Sequence, residues 1–217
     1  RRASWFRATR RGAARRGARA APLVIDLSSL WAGPLCAQLL AHCGARVVKV
    51  ESSARPDGAR RGPARFYDLL NAGKESVALD VRQPADRVRL RALLARADIV
   101  IESARPRALE QMGIHASELL AGRPGMVWLG ITGYGRRAPM RDWIAYGDDA
   151  GVAAGLAWLM GNEGEDPVFC ADAIADPLTG LHAAVLALAA WFEGGGQLLD
   201  GALHDVAAFC AGAGTVT

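Results

Sequence analysis

The stretch "ADAIADPLTGLHAAVLALAA" at 171–190 sets two carboxylates, Asp172 and Asp176, at the mouth of a segment with no charge from Pro177 to Phe192. Asp followed by Pro suits a helix start, because the side-chain oxygen can cap orphan amides and the proline ring fits the first turn. A carboxylate in that place can equally do chemistry, and the stretch by itself leaves both roles open. Glu51 closes the run "RVVKVE", about where a dinucleotide-binding fold places the acid that holds a ribose. The loop before that unit, "SSLWAGP", has one glycine where three would let the backbone approach a pyrophosphate. Pro34 also removes one of the amides that would hold phosphate. A nicotinamide cofactor is therefore not expected, whereas a nucleotide-containing ligand met by a different loop stays open. Cys36, His42 and Cys43 are not read as a metal site, since the adjacent His42 and Cys43 point to different helix faces.

The elements that must position these groups follow from periodicity. "LVIDLS" (23–28) reads as a strand. "LCAQLLAHCGA" reads as a helix, with Pro34 in its first position and Gly44 as its stop, and 46–51 as a second strand. Such a βαβ unit builds parallel sheet. Strands follow at 76–80, 98–103, 126–132 and within 194–203. Helices follow at 84–97, 107–113, 149–160, 177–192 and 202–211. Alternating strands and helices predict an α/β fold, a Rossmann-like open parallel sheet with flanking helices. In such sheets ligands sit at the carboxyl ends of the strands, which gathers the loops 29–34, 51–62, 71–75, 103–106 and 133–137 around one crevice.

Composition narrows the class. The chain has 217 residues and is 51% hydrophobic, enough for a sizeable core. Its net charge of +4 comes from the first 22 residues, which hold eight of the 26 basic residues and no acid; the rest carries 18 basic against 22 acidic residues. That argues against a nucleic-acid-binding body. Residues 1–22 read as a basic, disordered extension or the residue of a mis-started frame, in preference to a transit-like peptide, because they have no clear apolar face. Residues 23–217 read as one partial domain. The 177–192 run is shorter than the ~18–20 residues a span needs and reads as a core helix, so no membrane is expected. Four cysteines without CxxC spacing suggest reduced thiols and a cytoplasmic protein.

The segments "VIDLSSLWAGPLCAQLLAHCGARVVKVE", "LLNAGKESVALDV", "ADIVIESARPRALEQMGI", "ITGYG", "DAIADPLTGLHAAVLALAA" and "GGGQLLDGALHDV" occur in that order. Together they resemble the class III CoA-transferase family, which also holds formyl-CoA transferases, carnitine CoA-transferases and 2-methylacyl-CoA racemases. The likeness covers about residues 23–211 and corresponds to the N-terminal half of the family, whose second domain is largely missing. It implies transfer of CoA from an acyl-CoA to a carboxylic acid through an aspartyl anhydride and an aspartyl-CoA thioester, with coenzyme A as substrate and no permanently bound cofactor or metal. It implies Asp176, in the D-x-x-T-G pattern, as the nucleophile. It implies Trp31, Ala32, Asn71, Lys74, Ser103, Ala104 and Arg105 as residues toward CoA, and a homodimer or pairing with a second-half chain.

Departures from the pattern keep two other readings in view. Trp31 stands where formyl-CoA transferases carry Gln, Ser52 where an Arg often meets the nucleotide, and Gln111 replaces a frequent Arg. Arg55, Arg60 and Arg61 are nearby substitutes. "AYGDDAG" (145–151) lacks a Lys seen in some members. The chain could be a non-catalytic or truncated CoA-binding half that needs a partner. A racemase is the third reading, but its His–Asp pair in a "G-H-D" setting meets Gly147-Asp148-Asp149 here, so two-base proton exchange lacks a partner. Asp148 and Asp149 are expected to be helix-start acids.

Overall fold

The computed structural model describes residues 4–15, 20–161, 164 and 166–213. Its strands are β1 (Arg7–Arg10), β2 (Leu23–Asp26), β3 (Arg46–Ser52), β4 (Glu75–Leu79), β5 (Ile99–Glu102), β6 (Val127–Thr132) and β7 (Gln197–Ala202). They form one seven-stranded sheet in the order β1-β7-β6-β5-β2-β3-β4. Every pairing from β7 to β4 is parallel; only β1 runs antiparallel, along β7. The expected open parallel sheet is therefore mixed at one edge.

Alternate residues of the strands face opposite sides, as the pleat requires. Val24, Val47, Ile99, Ile101, Val127, Leu129 and Leu199 join one core. Its cover comes from α1 (Ala32–His42), α8 (Ala175–Phe192) and α9 (Leu203–Ala213). Leu23, Ile25, Val48, Val100, Met126 and Trp128 join the other core, beneath α3 (Pro84–Leu94), α4 (Pro106–Gln111) and α5 (Ala116–Gly122). Both faces of the sheet are covered, which is why its strands read as continuous apolar runs.

Several boundaries move for physical reasons. The helix α1 starts at Ala32, two residues ahead of Pro34, because proline is tolerated anywhere in a first turn whose amides have no helical acceptor. The single helix expected at 149–160 is two, α6 (Gly147–Ala153) and α7 (Leu156–Met160), broken at Gly155, whose φ of +88° favours glycine. Two short helices, α2 (Ala64–Asn71) and α5, lie where no element was expected. In the extension, Arg7–Arg10 is ordered against expectation: it pairs from Arg7↔Asp200 to Arg10↔Gln197, and Trp5 packs its ring 4.9 Å from that of His182. The open edge of β7 offers unpaired amides and carbonyls to any extended segment, whatever its composition. By length and composition α8 could cross a membrane, but one face packs against the sheet and α1.

Candidate active site

In a parallel sheet each crossover helix begins at the carboxyl edge of the strands, so the N-termini of α1, α6 and α8 meet there. Sheet order reverses between β5 and β2, the crevice position for ligands in this architecture.

Asp176 is not the helix cap its Asp-Pro sequence suggests. The cap position is Ile174, and Asp176 is the second residue of α8, its own amide bonding Ala173 O at 2.8 Å. Its carboxylate instead lies toward the backbone amides of Ala32 and Gly147, the first residues of α1 and α6, which favour its ionised form. Three helix N-termini thus converge on one partly buried carboxylate, and their dipoles favour its charge. Burial outweighs them: it lifts the Asp176 pKa from 3.8 to about 6, opposed by the two amides and helped by the like charges of Asp148 and Asp149. The group is mainly ionised at neutral pH, yet poorly solvated, which suits a nucleophile.

The approach depends on missing side chains. A Cβ on Gly147 would overlap Ala173 O and Asp176 Oδ2. One on Gly180 would meet Ala32 O at 2.8 Å and Leu35 Cβ at 3.1 Å, so the glycine of D-x-x-T-G lets α8 lie against α1. Among the described residues, Leu30, Ala171 and Ala173 are the non-glycines with positive φ, at 69°, 58° and 44°. All three sit on the loops that enter α1 and α8, where strain is commonly held at functional sites. We expect Gly147→Ala to keep the fold, checked by circular dichroism, but to lower the melting temperature, because its Cβ must push Ala173 O and the Asp176 carboxylate aside.

The remaining sequence-selected residues divide into two groups. Ala32 is buried and faces Asp176 through its amide. Trp31 precedes it and stacks edge-on with Phe66, centroids 4.9 Å apart, so the unforeseen α2 shapes this loop. Ser103 Oγ accepts the amide of Ser29 at 3.1 Å, tying the β5 loop to the β2 loop; Ala104 is beside it, and Arg105 is exposed. Asn71 and Lys74 are turned inward. Lys74 Nζ donates to Asp26 Oδ2 at 3.0 Å, Pro34 O at 2.9 Å and Asn71 Oδ1 at 3.1 Å, and its side chain is 1% exposed. Burial lowers its pKa, and Asp26 counteracts that. An ammonium so enclosed has its three donors taken, and Lys74 with Asn71 ties this loop to β2 and α1.

A second buried pair went unnoticed in the sequence. Lys49 Nζ lies 2.9 Å from Asp57 Oδ2 and donates to Ser28 O at 3.0 Å. Asp57 also accepts from the amides of Leu30 and Ala59, both at 3.0 Å. Asp26 in turn holds the amide and hydroxyl of Ser28. These pairs pin the β2–α1 loop that delivers the Ala32 amide. The lysine of "KVE" carried a signal: a charge alternating into an otherwise apolar strand must be paired or functional. Glu51 does not offer itself to a ribose. Arg60 grips both its oxygens, at 2.9 and 2.6 Å, while stacking over Tyr67, and this fork holds the Glu51 pKa down at about 2. Asp148 and Asp149 lie in the first turn of α6 as expected; Asp148 Oδ1 accepts the Ala173 amide at 2.8 Å. Asp172 is exposed.

The chain is 31% identical over 193 residues to a succinyl-CoA–D-citramalate CoA-transferase of Chloroflexus aurantiacus, covering 84% of this chain and 48% of that protein. It is 32% identical over 200 residues to a succinate–glutarate CoA-transferase of Agrobacterium fabrum, covering 84% and 50%. It thus spans about half the length of these relatives. Among solved structures, a CAIB/BAIF family protein from Brucella suis superposes with a TM-score of 0.79 at 30% identity, covering 86% of this chain and 53% of that one. A Mycobacterium tuberculosis protein gives 0.81 at 26%, covering 93% and 58%. The model of CoA-transferase family III matches residues 22–216, and the chain belongs to that family.

Proposed function

We propose that the chain carries the acyl-accepting half of a class III CoA-transferase, with Asp176 as nucleophile. The observation that carries this is the partly buried Asp176 carboxylate at the meeting of three helix starts, so close to Gly147 that a Cβ there would overlap its Oδ2, and favoured as an anion by the Ala32 and Gly147 amides. An ionised oxygen attacks the acyl-CoA carbonyl carbon; the C–S bond breaks, CoA leaves as thiolate, and an acyl–aspartyl anhydride remains. The thiolate then attacks the aspartyl carbonyl, releasing the acyl group as its carboxylate and leaving an aspartyl-CoA thioester. The acceptor carboxylate reverses the two steps. The Ala32 and Gly147 amides support the second step, because they lie where the aspartyl oxygen becomes an oxyanion.

Trp31, Ser103, Ala104 and Arg105, with the exposed Arg55 and Arg61, are assigned to the CoA side of the same edge. The exposed outer face of α8, with Leu181, Val185 and Phe192, supports pairing with a second copy or with a chain carrying the other half. Relatives named as alpha and beta subunits of a succinyl-CoA–L-malate CoA-transferase are in keeping with it. The described cysteines are all free thiols, which supports a cytoplasmic setting.

Incubation of the protein with an acyl-CoA and then hydroxylamine should place a hydroxamate on residue 176, read by peptide mass spectrometry. Label on Asp172, or no label on either, removes Asp176 from the mechanism.

A further inference from the structure

The loop 171–174 that feeds α8 is held in a conformation its residues do not favour. Ala171 and Ala173 both have positive φ, 58° and 44°, where a Cβ crowds the following carbonyl. Backbone in that state persists only where its surroundings fix it. Ala173 is fixed at both ends. Its amide donates to Oδ1 of Asp148, the second residue of α6, at 2.8 Å. Its carbonyl accepts the Asp176 amide, also at 2.8 Å, and stands where a Cβ on Gly147 would overlap it. The same added Cβ would overlap Asp176 Oδ2. A short series of contacts therefore runs from the Asp148 side chain through Ala173 to Asp176.

We propose that Asp148 is a positioning residue for Asp176: by holding the Ala173 amide it keeps the loop 171–174 in its strained form and so sets the Asp176 carboxylate against the start of α6. The consequence for transfer rests on Asp176 as the nucleophile; the positioning stands on the geometry alone. The Asp148 charge works the other way. Asp148 and Asp149 face Asp176 from α6 as like charges and add to the effect of burial. Asp149 Oδ1 accepts the Tyr146 amide, at the start of its own helix. From α1 the facing group is the Ala32 amide, and between Ala32 and Ala41 the buried Cys36 is the one titratable side chain. On the loop itself Asp172 is exposed.

Two substitutions separate the hydrogen bond from the charge. Asp148→Asn keeps an acceptor oxygen and loses the charge; Asp148→Ala loses both. The Asp176 titration in the full chain is followed by carboxyl carbon NMR of isotope-labelled aspartate, its signal assigned by loss in Asp176→Asn. In the wild-type chain it should lie at about 6. Asp148→Asn should lower it, because one like charge is gone. Asp148→Ala should lower it further, toward 3.8, because a released carboxylate turns to solvent. A merely structural Asp148 would change stability and leave the two variants titrating together. Hydroxamate formation on residue 176 should persist in Asp148→Asn and fall at least about tenfold in Asp148→Ala, whose carboxylate has lost its reactive geometry. Asp148→Ala titrating with Asp148→Asn or above it overturns the proposal, as does equal labelling of the two where the wild type is labelled. Titrations in the expected order, with no hydroxamate even in the wild type, sustain the positioning role and defeat the transferase reading instead.

Discussion

Asp176→Asn is expected to abolish transfer and yet to raise the melting temperature at about pH 8. The sign follows from the raised pKa. The folded state holds the Asp176 proton up to about pH 6 and the unfolded chain only to about 3.8, so folding is penalised as pH rises through that window. Below it, both states are protonated and the penalty is absent; above it, the penalty saturates at up to about 3 kcal/mol. Asparagine keeps the shape and one acceptor oxygen but never carries the charge. It forfeits about 1 kcal/mol of hydrogen bonding to the two amides, leaving a net gain of about 2 kcal/mol, or roughly 4–8 °C for a chain of this size. The gain should shrink toward zero near pH 4. Melting curves of both proteins across this range decide the matter: an equal difference at both ends means the carboxylate is not desolvated. A stabilised, inactive variant is what a charge held for chemistry and not for folding produces.

Lys74→Met is expected to have the largest effect on stability, about 3–5 kcal/mol, because it leaves the fully buried Asp26 carboxylate without its cation. Pro34 O and Asn71 Oδ1 lose their donor at the same time. Against a typical total of 5–15 kcal/mol that is a large share, and urea midpoints should fall accordingly. Adding Asp26→Asn to Lys74→Met removes the unpaired charge and should restore more than half of the loss. A Lys74 whose work was to hold CoA phosphate would behave otherwise: its removal would weaken CoA binding and leave the urea midpoint in place.

Much of this protein was legible as sequence because its signals are local. Runs such as "LVID" and "MVWLGIT" are apolar on both faces, and only a strand covered on both sides has that need; hence the parallel sheet. The order of motifs identified the family and singled out Asp176, since a carboxylate before Pro with Thr and Gly three and four residues on is a contiguous pattern. The same local logic misjudged its surroundings. It made Asp176 a cap, whereas the amides that hold it come from Ala32 and Gly147, 144 and 29 residues earlier in the chain. Nor could it foresee that the Lys74 ammonium turns in to Asp26, 48 residues away. It left Arg7–Arg10 without structure, although strand pairing is decided by the free edge of β7 and hardly by the side chains laid along it. Periodicity reports which side of an element is apolar, and it is silent on which distant amide or charge arrives there. Desolvation and long-range pairing exist only after the helices have packed, so the raised pKa of Asp176 and the enclosure of Lys74 are properties of the tertiary structure.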